Sequence, residues 1–159
     1  PQSALPRARC SICLERLLMK VQRVEQRALG RADCGVACVA MLAGCRYEDA
    51  LLALGFEGQQ RQCYTRHHHV IRALVKLGCV VQRKKFTTWQ QMAGPAIVAV
   101  NHTRRGKYWH WVVWAEHTIW DPRPNQLREA HDVRGMRGRG WYVLLIQRDH
   151  EDVESLANT

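Results

Sequence analysis

The order of patterns along the chain predicts an α+β domain in which N-terminal helices pack on a C-terminal antiparallel sheet. Helical spacing of apolar residues dominates as far as Leu77. From Cys79 onward, shorter runs rich in Val, Ile, Trp and Tyr take over. Turn residues such as Gly94-Pro95 separate these runs by short connections, as antiparallel strands require. With 159 residues, 47% of them apolar, the chain is expected to form one domain with a sizeable core.

Three helices are predicted before the strands. The first lies between Asp33, a good N-cap, and Gly44, a good stop, and its residues are small or apolar, so we expect it to be almost wholly buried. The second is Tyr47 to Leu54, ended by Gly55. The third is Thr65 to Leu77, with a buried apolar stripe.

The strand predictions cover most of the remaining chain. Val21 to Glu25 is predicted to be a short strand or an extended entry. The strands proper are predicted at Cys79–Gln82, Ala96–Val100, Tyr108–Trp114, Thr118–Trp120 and Trp141–Gln147. The glycine- and arginine-rich run from Arg134 to Gly140 is predicted to be a mobile basic loop.

The ends of the chain differ in character from its middle. Residues 1–19 are predicted to be an extension, poorly ordered and unlike a secretory signal, residues 20–148 the domain, and residues 149–159 a polar tail. No run approaches the ~20 apolar residues of a membrane span, so a soluble protein is expected. Seven cysteines, an odd number, favour reduced thiols and a cytoplasmic location. The net charge of +10 suits a nucleic-acid or acidic-peptide partner, or serves solubility alone.

Two motifs have residues that bind metals in other proteins, but neither is predicted to form a metal site. Cys10 and Cys13 have zinc-knuckle spacing, but no second Cys-x-x-Cys pair completes a site. His67-His68-His69 cannot converge on one ion from a helix, because consecutive side chains point about 100° apart. A solvated helix face is therefore expected there, and we expect neither a metal nor a cofactor.

Cys34 is the first candidate for chemistry. It falls in the first turn of the first helix, where unpaired backbone N–H groups and the helix dipole favour thiolate over thiol. Gly35 is expected to leave the approach to the sulfur open. On this stretch alone, a buried structural cysteine is as good an interpretation as a nucleophile.

Two later residues favour the nucleophile. His110 shares a strand face with Val112 and Trp114, and Asp121 ends the next strand, where a hairpin brings it beside His110. Each alone has a structural explanation, as a core histidine or a turn residue before proline. Together with Cys34 they make a thiol, a base and a group that orients the base.

These segments resemble the bacteriocin-processing (double-glycine leader) cysteine peptidases of the papain-like superfamily. The resemblance rests on the run from Asp33 to Leu42, on His110 to Val113 and on Asp121-Pro122, with Gln26 eight positions before Cys34. It implies a papain-like fold and a Cys-His-Asp triad of Cys34, His110 and Asp121.

By the same resemblance, Gln26 is an oxyanion-hole donor beside the backbone N–H of Cys34. On position alone, Gln26 is most simply a solvated surface amide. In that family the glutamine lies closer to the cysteine, so either the chain from Arg27 to Ala32 bulges or Gln26 is not the equivalent glutamine.

The leading hypothesis is a stand-alone cysteine peptidase that cleaves a peptide or protein after small residues. Two alternatives stay open. One is a peptide- or nucleic-acid-binding module on the same fold without chemistry, which the charge and the six tryptophans would suit. The other is an acyl-transfer or deamidating relative, because an acyl-thioester can be resolved by groups other than water. The sequence does not indicate an oligomeric state.

Overall fold

The structure is a computed structural model that describes residues 20–27, 32–56, 63–124, 129–130 and 135–146, the pair 129–130 as backbone only. The predicted extension at 1–19, with its Cys10-x-x-Cys13 pair, and the tail at 149–159 lie outside the described residues.

Three helices come first, as the sequence predicts. They are α1 (Cys34–Ala43), α2 (Tyr47–Leu54) and α3 (His67–Lys76). All ten residues of α1 are buried, because a helix that is apolar on every side finds no favourable place at a surface. Gly44 and Gly55 end the first two helices in the left-handed conformation that glycine adopts without steric cost.

An antiparallel sheet follows the helices. Its strands are β1 (Val81–Lys85), β2 (Ala96–Val100), β3 (His110–Ala115), β4 (Thr118–Trp120), β5 (Glu129–Ala130) and β6 (Gly138–Leu145). Their order across the sheet is β1-β6-β2-β3-β4-β5, with every neighbouring pair antiparallel. The predicted α+β fold class is confirmed.

Side chains from the two faces of the sheet build two separate cores. The helices cover one face, where Trp111 and Val113 of β3 pack with α1. Val112 and Trp114 point the other way and pack with Trp89 and Tyr142. The alternation along β3 is the period of two that a strand imposes, and it explains why this strand is buried on both faces.

A two-residue turn connects β3 to β4. Ala115 pairs with Thr118 across Glu116 and His117, and both turn residues have positive φ, 52° and 58°. This pair of left-handed residues matches the right-handed twist of the strands and makes a tight hairpin. The register of β3 and β4 then places Val113 opposite Trp120, the last residue of β4.

Several predicted boundaries are wrong at the edges of the sheet. Cys79 does not begin a strand, because its N–H bonds the carbonyl of Leu74 and closes the end of α3. β1 instead runs on through Arg83 to Lys85, a charged stretch that does not read as a strand. It forms because it pairs with β6 along its whole length.

The predicted basic loop at Arg134–Gly140 is wrong for its last three residues, whereas Gly135 to Arg137 belong to no strand. Gly138 to Gly140 already belong to β6, and Met136 is buried in the second core. The Met136 carbonyl accepts a 3.0 Å hydrogen bond from the Trp89 indole. Gly138 has no Cβ because the Phe86 ring fills that space: a Cβ would lie 2.5 Å from it. One apolar anchor and one close contact therefore order a segment whose composition is typical of loops.

The N-terminal segment from Lys20 to Arg27 is extended and belongs to no strand. It runs beside the chain that follows β4: Gln26 N–H donates to the Pro122 carbonyl at 2.7 Å, and the Arg23 guanidinium donates to the carbonyls of Asp121 and Arg123. Separately, none of the described helices is long and apolar enough to cross a membrane.

Gly35→Ala is expected to destabilise the protein. An added Cβ would lie 1.9 Å from Thr65 Oγ1 and 2.9 Å from Thr65 Cβ, so the segment before α3 must move. Overpacking of this kind costs about 1–3 kcal/mol, which urea unfolding measures as a lower midpoint.

Gly94→Ala is the matched control, since its nearest neighbour would be Leu144 Cδ1 at an ordinary 3.6 Å. Equal midpoints for the Gly35 and Gly94 variants would contradict the contact.

Candidate active site

The start of α1 is held by the carboxylate of Asp33, which is fully buried. Asp33 is the N-cap residue, as predicted, but its side chain makes no capping hydrogen bond. It accepts instead from Gln26 Nε2 at 2.9 Å, Arg27 N–H at 3.0 Å and Tyr47 O–H at 2.7 Å. The carboxylate therefore ties α1, α2 and the N-terminal segment to one point directly before Cys34.

Cys34 lies in the first turn of α1 with only 6% of its surface exposed. Its sulfur lies near the backbone N–H groups of Trp111, Gly35 and Cys34 itself. Odd-numbered residues of β3 direct their N–H groups toward β4, but pairing with β4 reaches only Val113. The N–H of Trp111 is therefore left at the edge of the sheet for the sulfur.

Burial raises the pKa of the Cys34 thiol from 9.0 to about 11. The three backbone N–H groups lower this pKa, and the nearby charge of Asp33 raises it, but desolvation is the largest effect. The expectation of a thiolate stabilised by the helix terminus is therefore wrong: the thiol is protonated near neutral pH. The helix end supplies donors, yet the apolar surroundings of α1 disfavour the charge more strongly.

Gly35 also serves a different purpose from the expected one. Its missing Cβ leaves room for Thr65, which approaches the helix there, rather than an open path to the sulfur. Thr65 is in turn held by β3, because the Trp111 indole donates to the Thr65 carbonyl at 3.3 Å. This contact joins three parts of the fold: helix α1, the segment before α3, and strand β3.

His110 and Asp121 form a buried pair. The His110 Nε2–H donates to Asp121 Oδ1 at 2.8 Å, and the same oxygen accepts the Arg123 N–H at 3.0 Å. Burial alone would raise the pKa of Asp121, but the hydrogen bond and charge of His110, with Arg123, bring it below its usual value. Asp121 is thus an anion, and Nε2 must carry the imidazole proton.

The predicted site residues converge in two groups. His110 and Asp121 form one, and Gln26 lies against Asp33, beside Cys34, in the other. The Gln26 backbone joins the two groups through its bond to Pro122. His110 stands on the strand at the residue before Trp111, whose N–H meets the sulfur, but among the described contacts no hydrogen bond joins the sulfur to the imidazole.

A cleft of about 180 Å³ opens beside Cys34. Its lining comes from the start of α1, the segment before α3 and the chain leading into β3, and it comprises Ala32, Cys34, Tyr64, Thr65, Arg66, Lys107, Tyr108, Trp109 and Trp111. Two polar groups of this lining, Thr65 Oγ1 and Trp109 Nε1, are buried without a hydrogen-bond partner. The nucleophile candidate therefore lies at a cleft whose lining residues include two buried, unpaired polar atoms.

The histidine run at the start of α3 is not the uniformly solvated face expected from the sequence. His68 is exposed, but His67 is half-buried, with its ring against Trp109 and Trp111 and its Nε2–H donating to the Trp141 carbonyl. Burial lowers the pKa of His67. No cluster of three or more metal-ligating side chains occurs among the described residues.

Sequence reasoning missed the residues that hold this site in place. Tyr47 and Thr65 carry no sequence signal for a role near Cys34, because both act through contacts between distant segments. The bond from Tyr47 to Asp33 joins residues 14 apart, and Gly35 meets Thr65 across 30 positions. Only the small residue at position 35 could have suggested a close approach.

Comparison with known proteins identifies the fold. No protein-family model matches the sequence, and no curated protein matches it. Among solved structures, the chain is similar to the peptidase domain of Streptococcus ComA, a bifunctional ABC transporter involved in a quorum-sensing pathway. The TM-score is 0.55 at 19% identity, over 81% of this chain and 100% of that one. The chain has the α+β fold of a papain-like peptidase.

Alkylation of Cys34 is expected to be slow at neutral pH and to accelerate with pH. Because the pKa of the thiol is raised to about 11, the thiolate fraction grows about tenfold per unit between pH 7 and 9.5. Mass spectrometry of the iodoacetamide-labelled Cys34 peptide gives the rate. Free cysteine is the control, and its rate levels off near its own pKa of about 8.5. A Cys34 rate that is already at its plateau at pH 7 would contradict a buried thiol.

Proposed function

We propose that the protein is a cysteine peptidase in which Cys34 is the nucleophile, His110 the general base and Asp121 the group that orients the base. The observation that carries the proposal is the buried 2.8 Å hydrogen bond from His110 Nε2 to an ionised Asp121. Burying an ionised carboxylate in a purely structural role is costly, and a histidine hydrogen-bonded to a carboxylate is what a thiol nucleophile requires.

The tautomer of His110 sets the direction of proton transfer. With its proton on Nε2, the ring presents an unprotonated Nδ1, which accepts the Cys34 proton as the sulfur attacks the scissile carbonyl. The Nδ1 proton then passes to the leaving amine, and water resolves the acyl-thioester. Asp121 Oδ2 is buried without a partner, so the negative charge of this carboxylate stabilises the imidazolium that forms.

This assignment makes the nucleophile a neutral thiol activated during the reaction rather than a stored thiolate. The sulfur approaches β3 at its edge, and His110 is the first residue of that strand. The mechanism requires the Cys34 sulfur and His110 Nδ1 to come within hydrogen-bond distance of each other. Catalytic hydrogen bonds of this kind commonly tighten only with substrate bound.

The oxyanion hole is assigned to the backbone N–H of Cys34 and to Gln26 Nε2. The Gln26 amide has two N–H groups and donates one to Asp33, which leaves the second for substrate. The N-terminal position of Cys34 in α1 places its N–H among those that make no bond within the helix. Cleavage after small residues is what the resemblance to leader peptidases implies for the substrate.

Loss of any triad member is expected to abolish or nearly abolish cleavage. Cys34→Ala removes the attacking atom, His110→Ala removes the base, and Asp121→Ala leaves the imidazole free to take the wrong tautomer, lowering kcat by about 10³- to 10⁴-fold. A mixed peptide library, with products sequenced by mass spectrometry, measures cleavage and also separates hydrolysis from acyl transfer or deamidation.

The controls are Cys38→Ala, a buried cysteine one turn further along α1, and His117→Ala in the exposed β3–β4 turn. Neither is expected to change the products. Cleavage by the Cys34→Ala variant at the wild-type rate would end the proposal.

Gln26→Ala is expected to lower kcat by about 10²-fold with little change in KM, since one oxyanion donor is lost. Because Gln26 also bonds Asp33, the urea midpoint must be measured alongside the kinetics. Gln22→Ala, an exposed glutamine on the same segment, is the matched control. Full activity in the Gln26 variant would show that another group binds the oxyanion.

A non-catalytic peptide-binding module on the same fold is the second candidate. The observation that favours it is the burial of Cys34 and the raised pKa of its thiol, which a structural cysteine also has. Equal peptide affinity of wild type and Cys34→Ala, with no product from either, would select this candidate.

A further inference from the structure

The cleft beside Cys34 carries two cations and no anion. Arg66 lines it from the segment before α3, and Lys107 lines it from the chain that leads into β3. No acidic side chain is among the lining residues. Two positive charges on one surface favour the binding of a negatively charged ligand.

Neither cation is neutralised by a carboxylate in the part of the chain that the structure describes. Glu25, Glu48 and Asp49 pair with other arginines, Asp33 holds the start of α1, and Asp121 pairs with His110. The remaining described acid with a placed side chain, Glu116, lies beyond the opposite end of β3 from His110. Among the described residues, Arg66 and Lys107 are therefore cations of the cleft lining without a carboxylate partner.

The two walls of the cleft meet through a pair of tyrosine rings. The rings of Tyr64 and Tyr108 contact each other at 5.1 Å between centroids and so join the wall of Arg66 to that of Lys107. The Lys107 ammonium lies 5.3 Å from the centre of the Tyr108 ring. Thr103 braces the turn before Tyr108 by bonds to its N–H and carbonyl. Arg66 and Lys107 are both exposed, so their attraction to an anion acts through solvent and is strongest at low salt.

We propose that Arg66 and Lys107 bind a carboxylate of the substrate, an aspartate or glutamate side chain close to the scissile bond. This inference rests on the proposed peptidase function, and it adds an acidic residue to the substrate class. A nucleic-acid strand fits less well, because it needs a basic groove that tracks several phosphates, whereas this cleft measures about 180 Å³.

Two small alkylating reagents test the cleft charge without a known substrate. Iodoacetate and iodoacetamide both react with the Cys34 thiolate, but only iodoacetate carries a carboxylate. Because both need the same thiolate, the ratio of their rate constants at Cys34 is independent of the thiol pKa. In Arg66→Gln/Lys107→Gln this iodoacetate-to-iodoacetamide ratio is expected to fall roughly tenfold at low salt.

Arg72→Gln/Lys85→Gln is the matched control, since it removes the same charge from exposed residues that do not line the cleft. The control is expected to keep the wild-type ratio. An unchanged ratio in the Arg66/Lys107 variant, or an equal fall in the control, would overturn the inference.

Peptide substrates provide the second readout. For two library peptides that differ only by Glu or Gln near the cut, wild type is expected to favour Glu in kcat/KM, and Arg66→Gln/Lys107→Gln is expected to lose that preference. Cleavage of both peptides at equal rates would overturn the acidic preference while leaving the peptidase function intact.

Absence of all cleavage, with the alkylation ratio as expected, would reject the peptidase function and retain the anion site. Competition by a ten-residue oligothymidylate, but not by the Glu peptide, would assign the cations to nucleic acid instead.

Discussion

The buried carboxylate of Asp33 is the interaction on which the rest of the site depends. It accepts from three donors on two segments: a backbone N–H and a glutamine amide of the N-terminal segment, and a tyrosine hydroxyl of α2. An unpaired buried carboxylate would cost several kcal/mol, so the stability of the domain depends on both segments reaching it. The position of Cys34, the next residue, is therefore fixed by a network of side chains rather than by helix capping alone.

The parts of the fold that depend on local pattern could be predicted from the sequence. The three helices, β2 and β4 follow from apolar periodicity and from glycine or turn residues. What could not be predicted depends on pairing at a distance: Arg83 to Lys85 form a strand only because β6 lies alongside. Met136 orders a glycine-rich segment because the Trp89 indole reaches its carbonyl. His67 is likewise half-buried because its ring packs against Trp109 and Trp111, which are distant in sequence.

In the candidate site, too, the sequence predicted local features correctly but not the effect of distant segments on a pKa. Sequence order was enough to bring His110 and Asp121 together, since one hairpin separates them. It gave the wrong pKa direction for Cys34, because a helix terminus and a desolvated environment shift a thiol in opposite directions. The pKa of the Cys34 thiol depends on how completely α1 is buried. The sheet and Thr65 bury it, and both come from parts of the sequence far from position 34.

The tight hairpin between β3 and β4 sets the position of Asp121 relative to His110. The turn sets the register of the two strands, and this register places Trp120, the residue before Asp121, opposite Val113. Since strand side chains alternate between faces, a slip of one residue between β3 and β4 would turn the Asp121 carboxylate to the opposite face of the sheet. The register that a surface turn fixes is thus as much a requirement for the buried hydrogen-bonded pair as the two residues that form it.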